Sequence, residues 1–123
     1  LGIEDDITWL GWIEDLTSFY NSIDFMLFNS DWDSVGLSPL EAIQLGIPAF
    51  SSVVNGGLKE ILTDDFSIFL QDSHEIEGLT NKIHYAIENK NEIMDLTLKC
   101  REHINQLSDP YLIAKKVLNN LTN

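Results

Sequence analysis

Residues 25–51 have the sequence FMLFNSDWDSVGLSPLEAIQLGIPAFS, and the order of apolar and polar runs within them decides the fold. The continuous apolar run Phe25–Phe28 is typical of a strand covered on both faces. A polar loop and an amphipathic helix follow, and a second apolar run, Ile47–Ser51, comes after the helix. Two strands that are joined by a helix usually form a parallel pair. The helix carries the chain back to the end of the sheet where the first strand began, so the second strand runs in the same direction. We therefore predict an α/β fold with a parallel, Rossmann-like sheet and crossover helices.

The helix between these strands has marked ends in the sequence. Ser38, Pro39 and Glu41 fit the N-cap, N1 and N3 positions of a capping box. Gly46 fits the left-handed residue that follows a helix. The loop before the helix leads from the carboxyl end of a strand to a helix N-terminus, which is where open α/β sheets bind their ligands.

Further strands are predicted on both sides of this unit. The apolar runs Ile7–Trp12 and Ser67–Leu70 predict two more strands of the same parallel sheet, with Trp9, Trp12 and Phe28 in the core. Four strands are fewer than the roughly six of a complete nucleotide-binding half. The shortage falls at the N-terminus, so we expect the opening βαβ unit to be missing.

Helices are predicted over the rest of the chain. Short helices are expected at Asp15–Asn21 and Leu58–Leu62. From Ile76 onward the apolar residues recur at helical spacing, and Asp109-Pro110 marks the start of a last helix, which predicts a helical C-terminus. No apolar run approaches the roughly 20 residues of a membrane span. The single cysteine, Cys100, excludes an internal disulfide and favours a reducing compartment.

Charge limits the possible ligands. The 123 residues include 20 Asp and Glu against 7 Lys and Arg, a formal net charge of −13. Proteins that bind nucleic acid or anionic membranes use clustered Lys and Arg, so both classes are disfavoured. The first basic residue is Lys59. An anion bound before that point must therefore rely on backbone N–H groups or on cations from elsewhere.

The loop before the predicted helix carries the groups expected of a binding site. Gly36 allows close approach of the backbone to a ligand. The free N–H groups and positive dipole end at Leu37–Leu40 suit an anion. Asp33 and Glu41, one on each side, offer acceptors for hydroxyl groups. These groups predict a ligand that is polyhydroxylated and phosphorylated.

Residues 33–48, DSVGLSPLEAIQLGIP, resemble the signature of retaining glycosyltransferases of the GT-B fold, family 4, in which seven residues separate two acidic ones. Three other segments are similar to motifs of that family in the same order: Leu10–Leu16 (LGWIEDL), Tyr20–Asp24 (YNSID) and Gly56–Glu60 (GGLKE). The resemblance covers essentially the whole chain. It implies that residues 1–123 are part of a C-terminal, nucleotide-sugar-binding domain.

The resemblance also implies an activity and a set of site residues. The parent enzyme would transfer a sugar from a nucleoside-diphosphate sugar to a glycan or lipid-linked acceptor, with retention of configuration and without a metal or other cofactor. Glu41 would hold the ribose hydroxyls and Asp33 would face the donor sugar. The backbone at Val35, Gly36, Leu37 and Ser38 would contact the donor sugar and the diphosphate.

The same resemblance implies partners and a location. The acceptor would be bound by an N-terminal domain that this chain lacks, so the isolated fragment is expected to be inactive. A cytoplasmic location is expected, with any contact to the inner membrane face made through the absent part.

Three alternatives stay open at this point. The chain could be a catalytically inactive binding or interaction module, since Asp33 replaces the usual Glu and Ser34-Val35 replace the usual Gly-Phe. Asp31-Trp32-Asp33 spells the D-x-D motif of metal-dependent GT-A glycosyltransferases, whose carboxylates hold a divalent cation on a diphosphate. Glu41 could cap only its own helix. We assign no chemistry to the three histidines.

Overall fold

The computed structural model describes residues 2–30, 33–52, 56–62, 64–71, 76–111 and 113–115. It contains two strands and five α-helices within those ranges, and two 3-10 segments at Glu4–Asp6 and Asp64–Phe69. In chain order these are α1 (Leu16–Asn21), β1 (Met26–Phe28), α2 (Leu37–Gln44), β2 (Ala49–Ser51), α3 (Gly57–Ile61), α4 (Ile76–Glu88) and α5 (Lys90–Leu107). The mixed α/β class predicted from the sequence is confirmed.

The centre of the fold is a β1–α2–β2 unit. β1 and β2 pair in parallel, with Met26 opposite Ala49 and Phe28 opposite Ser51. The Met26 N–H donates to the carbonyl of Pro48 at 2.9 Å. Both predicted strands of the 25–51 stretch are therefore confirmed, as is their parallel pairing through a helix.

The core lies where α2, β2 and α5 meet. Phe50 of β2 is fully buried and makes edge contacts with the rings of Phe25 and Phe69, at centroid distances of 6.0 and 5.8 Å. Ile43 of α2 is fully buried as well. α5 contributes a buried face consisting of Ile93, Thr97, Cys100 and Ile104. Burial raises the pKa of the Cys100 thiol to about 12, so Cys100 serves as a small core residue.

The prediction of a strand at Ser67–Leu70 is wrong for all but its last residue. Residues 64–69 form 3-10 turns, and only Leu70 makes a single parallel bridge, to Ser51. Phe66 and Phe69 are both buried. Their spacing of three residues suits one face of a 3-10 turn, whereas in a strand they would point to opposite faces.

The prediction of a buried strand at Ile7–Trp12 is also wrong. Residues 7–12 are not in a strand, and the side chains of Trp9 and Trp12 are 91% and 92% exposed. Within the described residues, positions 8–14 make no backbone hydrogen bond. A strand needs a hydrogen-bonded neighbour, and the described part of the chain gives this segment none. Phe28, the third aromatic residue expected in the core, is half-buried.

The predicted helices are confirmed over the described residues, and the part of the last helix beyond residue 115 lies outside them. The side chain of Asp15 caps α1 by accepting the N–H of Ser18 at 3.0 Å. α4 and α5 form the helical C-terminal region, and residues 110–111 and 113–115 are helical too. Among the described helices, none is both long and apolar enough to cross a membrane.

Candidate functional site

The first turn of α2 differs from the predicted capping box. The helix begins at Leu37, its N-cap is Gly36, and no side chain caps it. Gly36 adopts the left-handed conformation (φ 73°, ψ 59°), which glycine reaches without steric cost. Ser38 and Pro39 thus occupy the second and third helical positions, and the predicted N-cap at Ser38 is wrong. The helix ends near the expected point, since the left-handed Gly46 follows the C-cap Leu45.

Asp33 holds the loop that leads into α2. Its Oδ1 atom accepts the N–H groups of Val35 at 2.9 Å and Gly36 at 2.6 Å. We call residues 33–36 the donor loop. In this conformation the N–H groups of Val35 and Gly36 bind the protein's own carboxylate. Oδ2 of Asp33 makes no hydrogen bond to the described residues.

The beginning of α3 packs on the back of the donor loop. The Gly57 N–H donates to the carbonyl of Ser34 at 2.8 Å. Gly56, with φ 141°, lies so close that a Cβ atom there would collide with the carbonyl oxygen of Asp33. A side chain at Gly56 would therefore displace the loop, whereas one at Gly57 would need the Ser34 carbonyl to move by only a few tenths of an ångström.

Glu41 is the fifth residue of α2 and is exposed. Its carboxylate makes no hydrogen bond or ion pair with the described residues. The alternative in which Glu41 serves only to cap its own helix is therefore wrong, because a capping glutamate bonds to the backbone of the first turn.

A shallow, mostly apolar groove of about 360 Å³ lies beside Glu41, between α1 and α2. It is lined by Leu16, Thr17, Tyr20, Leu37, Leu40, Glu41, Gln44 and Leu45. The Tyr20 hydroxyl donates to the carbonyl of Ser38 at 3.3 Å. Burial, and to a lesser extent the nearby Glu41 charge, raises the pKa of Tyr20. The contribution of α1 was not predicted from the sequence, because it depends on how α1 packs against α2.

A second cavity, of about 280 Å³, lies at the opposite end of the strands from the donor loop. Phe25 and Pro48, which line it, precede β1 and β2, so this cavity lies at the amino ends of the strands. Ligands of parallel α/β sheets bind at the carboxyl ends. We therefore assign the candidate site to the donor loop, the first turns of α2 and the groove beside Glu41.

The predicted site residues lie in the donor loop and the first five residues of α2. Val35 and Leu37 are exposed, Asp33 and Ser38 are half-buried, and Gly36 is buried beneath them. The described residues contain no group of three His, Cys, Asp or Glu side chains that could hold a metal ion. Asp31 and Trp32 of the D-x-D motif lie outside the described residues.

Comparison with known proteins identifies related enzymes. The chain is 33% identical over 66 residues to the lipopolysaccharide core biosynthesis mannosyltransferase LpsB of Rhizobium meliloti (strain 1021), covering 48% of this chain and 19% of LpsB. It is 25% identical over 118 residues to the UDP-Gal:alpha-D-GlcNAc-diphosphoundecaprenol alpha-1,3-galactosyltransferase of Escherichia coli, covering 95% of this chain and 29% of that enzyme. The chain thus spans less than a third of the curated relatives it matches.

The family model for glycosyl transferases group 1 matches residues 1–104. This range includes the donor loop, the groove and every residue of the candidate site. The chain therefore belongs to the family of group 1 glycosyl transferases.

Proposed function

We propose that this chain is part of the donor-binding half of a retaining glycosyltransferase with the GT-B fold, family 4. It binds a nucleoside-diphosphate sugar, whose sugar passes to a glycan or lipid-linked acceptor without a bound metal. A separate N-terminal domain would bind that acceptor, and residues 1–123 by themselves would not catalyse transfer. We propose a cytoplasmic location, which the buried, reduced Cys100 supports.

The observation that carries this proposal is the carboxylate of Glu41, which has no partner among the described residues and lies beside an apolar groove. A ribose presents two neighbouring hydroxyl donors, and a carboxylate accepts both without needing a cation. The apolar lining of the groove suits the flat face of a base, since apolar surface gains free energy when covered. A nucleoside placed along α1 and α2 would satisfy both features at once.

The diphosphate would lie at the first turn of α2. Leu37 and Ser38 carry N–H groups that have no acceptor within the helix, and Pro39 has no N–H. The positive end of the helix dipole adds to their attraction for an anion. Asp33 would face the donor sugar through Oδ2, since Oδ1 already binds the loop.

The role of Glu41 is tested by Glu41→Gln, which keeps the size of the side chain and removes its charge. We expect donor binding to weaken by roughly 1.5–3 kcal/mol, the range for a hydrogen bond to a charged group. Glu102→Gln, an exposed change on α5, is the matched control and should leave affinity unchanged. Binding would be measured by titration with UDP-, GDP- and ADP-sugars. Equal donor affinities for the two variants would contradict this role of Glu41.

The catalytically inactive module is the second candidate function. This function is favoured because Oδ1 of Asp33 already accepts hydrogen bonds from the donor loop. Only the other carboxylate oxygen is left to contact a sugar. The two functions differ in turnover by the intact protein. Release of free sugar or transfer to an acceptor from a bound nucleotide sugar supports the enzyme, whereas binding without either supports the module.

A further inference from the structure

We propose that His103 of α5 is a positioning residue for the donor loop, an inference that rests on the proposed function. Its Nε2 atom lies 3.2 Å from the carbonyl oxygen of Ile61, the last residue of α3. Its ring lies 5.3 Å from the ring of Phe66, tilted by 43°. His103 is half-buried, and no chemistry was assigned to it from the sequence.

The contact with Ile61 supplies a hydrogen-bond donor at the C-terminal end of α3. The last carbonyls of a helix have no partner within it, and a side-chain donor there stabilises the final turn. α3 has only five residues, too few to be stable by itself. His103 must carry its ring hydrogen on Nε2 to donate to this carbonyl. α3 is thereby fixed to α5.

The other end of α3 is fixed to the donor loop. The Gly57 N–H donates to Ser34, and Gly56 packs on the backbone of Asp33. α3 thus connects His103 to the residue that lies between Asp33 and Val35. Loss of the bond to Ile61 would allow α3 to shift, and the close contact at Gly56 would transmit that shift to the donor loop.

The polar and packing roles of His103 can be separated by substitution. His103→Leu keeps an apolar side chain against Phe66 and removes the donor. His103→Gln places its amide nitrogen at about the reach of Nε2, so it can retain the bond. His103→Asn is equally polar but one methylene shorter. His84 is exposed and makes no bond to the described residues, so His84→Leu is the control for loss of a histidine.

The test combines two measurements on each variant. Amide hydrogen exchange at Gly57 reports the contact between α3 and the donor loop, and exchange at Met26 in the sheet reports global unfolding. NMR titration with uridine, guanosine and adenosine diphosphates gives the dissociation constants. We expect His103→Asn and His103→Leu to speed exchange at Gly57 and to raise the dissociation constant, each by about fivefold, as for one lost hydrogen bond. His103→Gln and His84→Leu should match the wild type within about twofold.

Each other outcome has a definite meaning. If His103→Asn and His103→Leu accelerate exchange at Met26 as much as at Gly57 and leave the dissociation constant unchanged, His103 only stabilises the fold and the inference is overturned. The inference is also overturned if His103→Gln has the same effects as His103→Leu. If the wild type binds none of the three diphosphates, the proposed function fails, and exchange at Gly57 still decides whether His103 holds the loop.

Discussion

Strands were predicted from apolar runs both in the β1–α2–β2 unit and in the N-terminal segment (residues 2–14), yet the two regions differ in packing. In the β1–α2–β2 unit the strands pair in parallel, and Ile43 and Phe50 are fully buried. In the N-terminal segment Trp9 and Trp12 are more than 90% exposed. Both regions contain apolar runs of similar length, so hydrophobicity alone does not explain the difference.

The difference lies in where the hydrogen-bond partners come from. β1 pairs with β2, which lies a short distance along the chain, and α2 packs on both strands. The N-terminal segment has no neighbouring strand among the described residues. An apolar run thus becomes a buried strand only where the backbone partners are present.

The largest effect should come from truncating one aromatic residue in each region. Phe50→Ala removes the ring that contacts Phe25 and Phe69, and should lower the free energy of unfolding by about 3–5 kcal/mol. Trp9→Ala should change it by less than about 0.5 kcal/mol, because the ring is already in solvent. Urea unfolding followed by circular dichroism measures both. Comparable losses would mean that the N-terminal segment is packed.

A smaller loss is expected at the contact between α3 and the donor loop. Gly56→Ala should cost about 2–4 kcal/mol, because it adds a collision with Asp33 to the strain of a positive φ. Gly46→Ala is the matched control, since Gly46 also has a positive φ (83°) but open space around its Cβ position. It should cost only about 1–2 kcal/mol, the strain alone. If urea unfolding showed the same loss of unfolding free energy for both variants, the donor loop would move at little cost to accommodate the added methyl group.

The smallest effect concerns the boundary between the two regions, at the N-cap of α1. Hydrogen bonds from the Ser18 side chain and then from its N–H lower the pKa of Asp15. The cap therefore stabilises the folded state above the unfolded pKa, about 3.9, and its contribution is lost as the pH falls through the lower folded value. The amide shift of Ser18, followed by NMR against pH, should titrate below about 3.9. A midpoint above that value would contradict the cap.

The sequence predicted the β1–α2–β2 unit because its signals are local: two apolar runs, a helical period between them and Gly46 after it. The same signals located the candidate site at the loop before α2. The start of α2 was misplaced because Ser38-Pro39 matches a capping box, while Asp33 and the left-handed Gly36 form a competing turn two residues earlier.

The remaining features depend on tertiary packing and could not be predicted. The groove beside Glu41 exists because α1 packs against α2, and α1 carries no ligand-binding motif. The contact between His103 and Ile61 joins residues 42 positions apart. Residues 64–69 form 3-10 turns, because such turns place Phe66 and Phe69, three residues apart, on the same face and bury both in one core.

NMR can detect directly whether a nucleoside-diphosphate sugar binds at the donor loop and α2. Uniformly labelled protein would be titrated with UDP-, GDP- and ADP-sugars, and the backbone amide shifts mapped on the structure. We expect at least one donor to shift the amides of Val35, Gly36, Leu37 and Ser38 together with those of Thr17 and Glu41. Shifts confined to the cavity at Phe25 and Pro48, or no shifts with any donor, would contradict it.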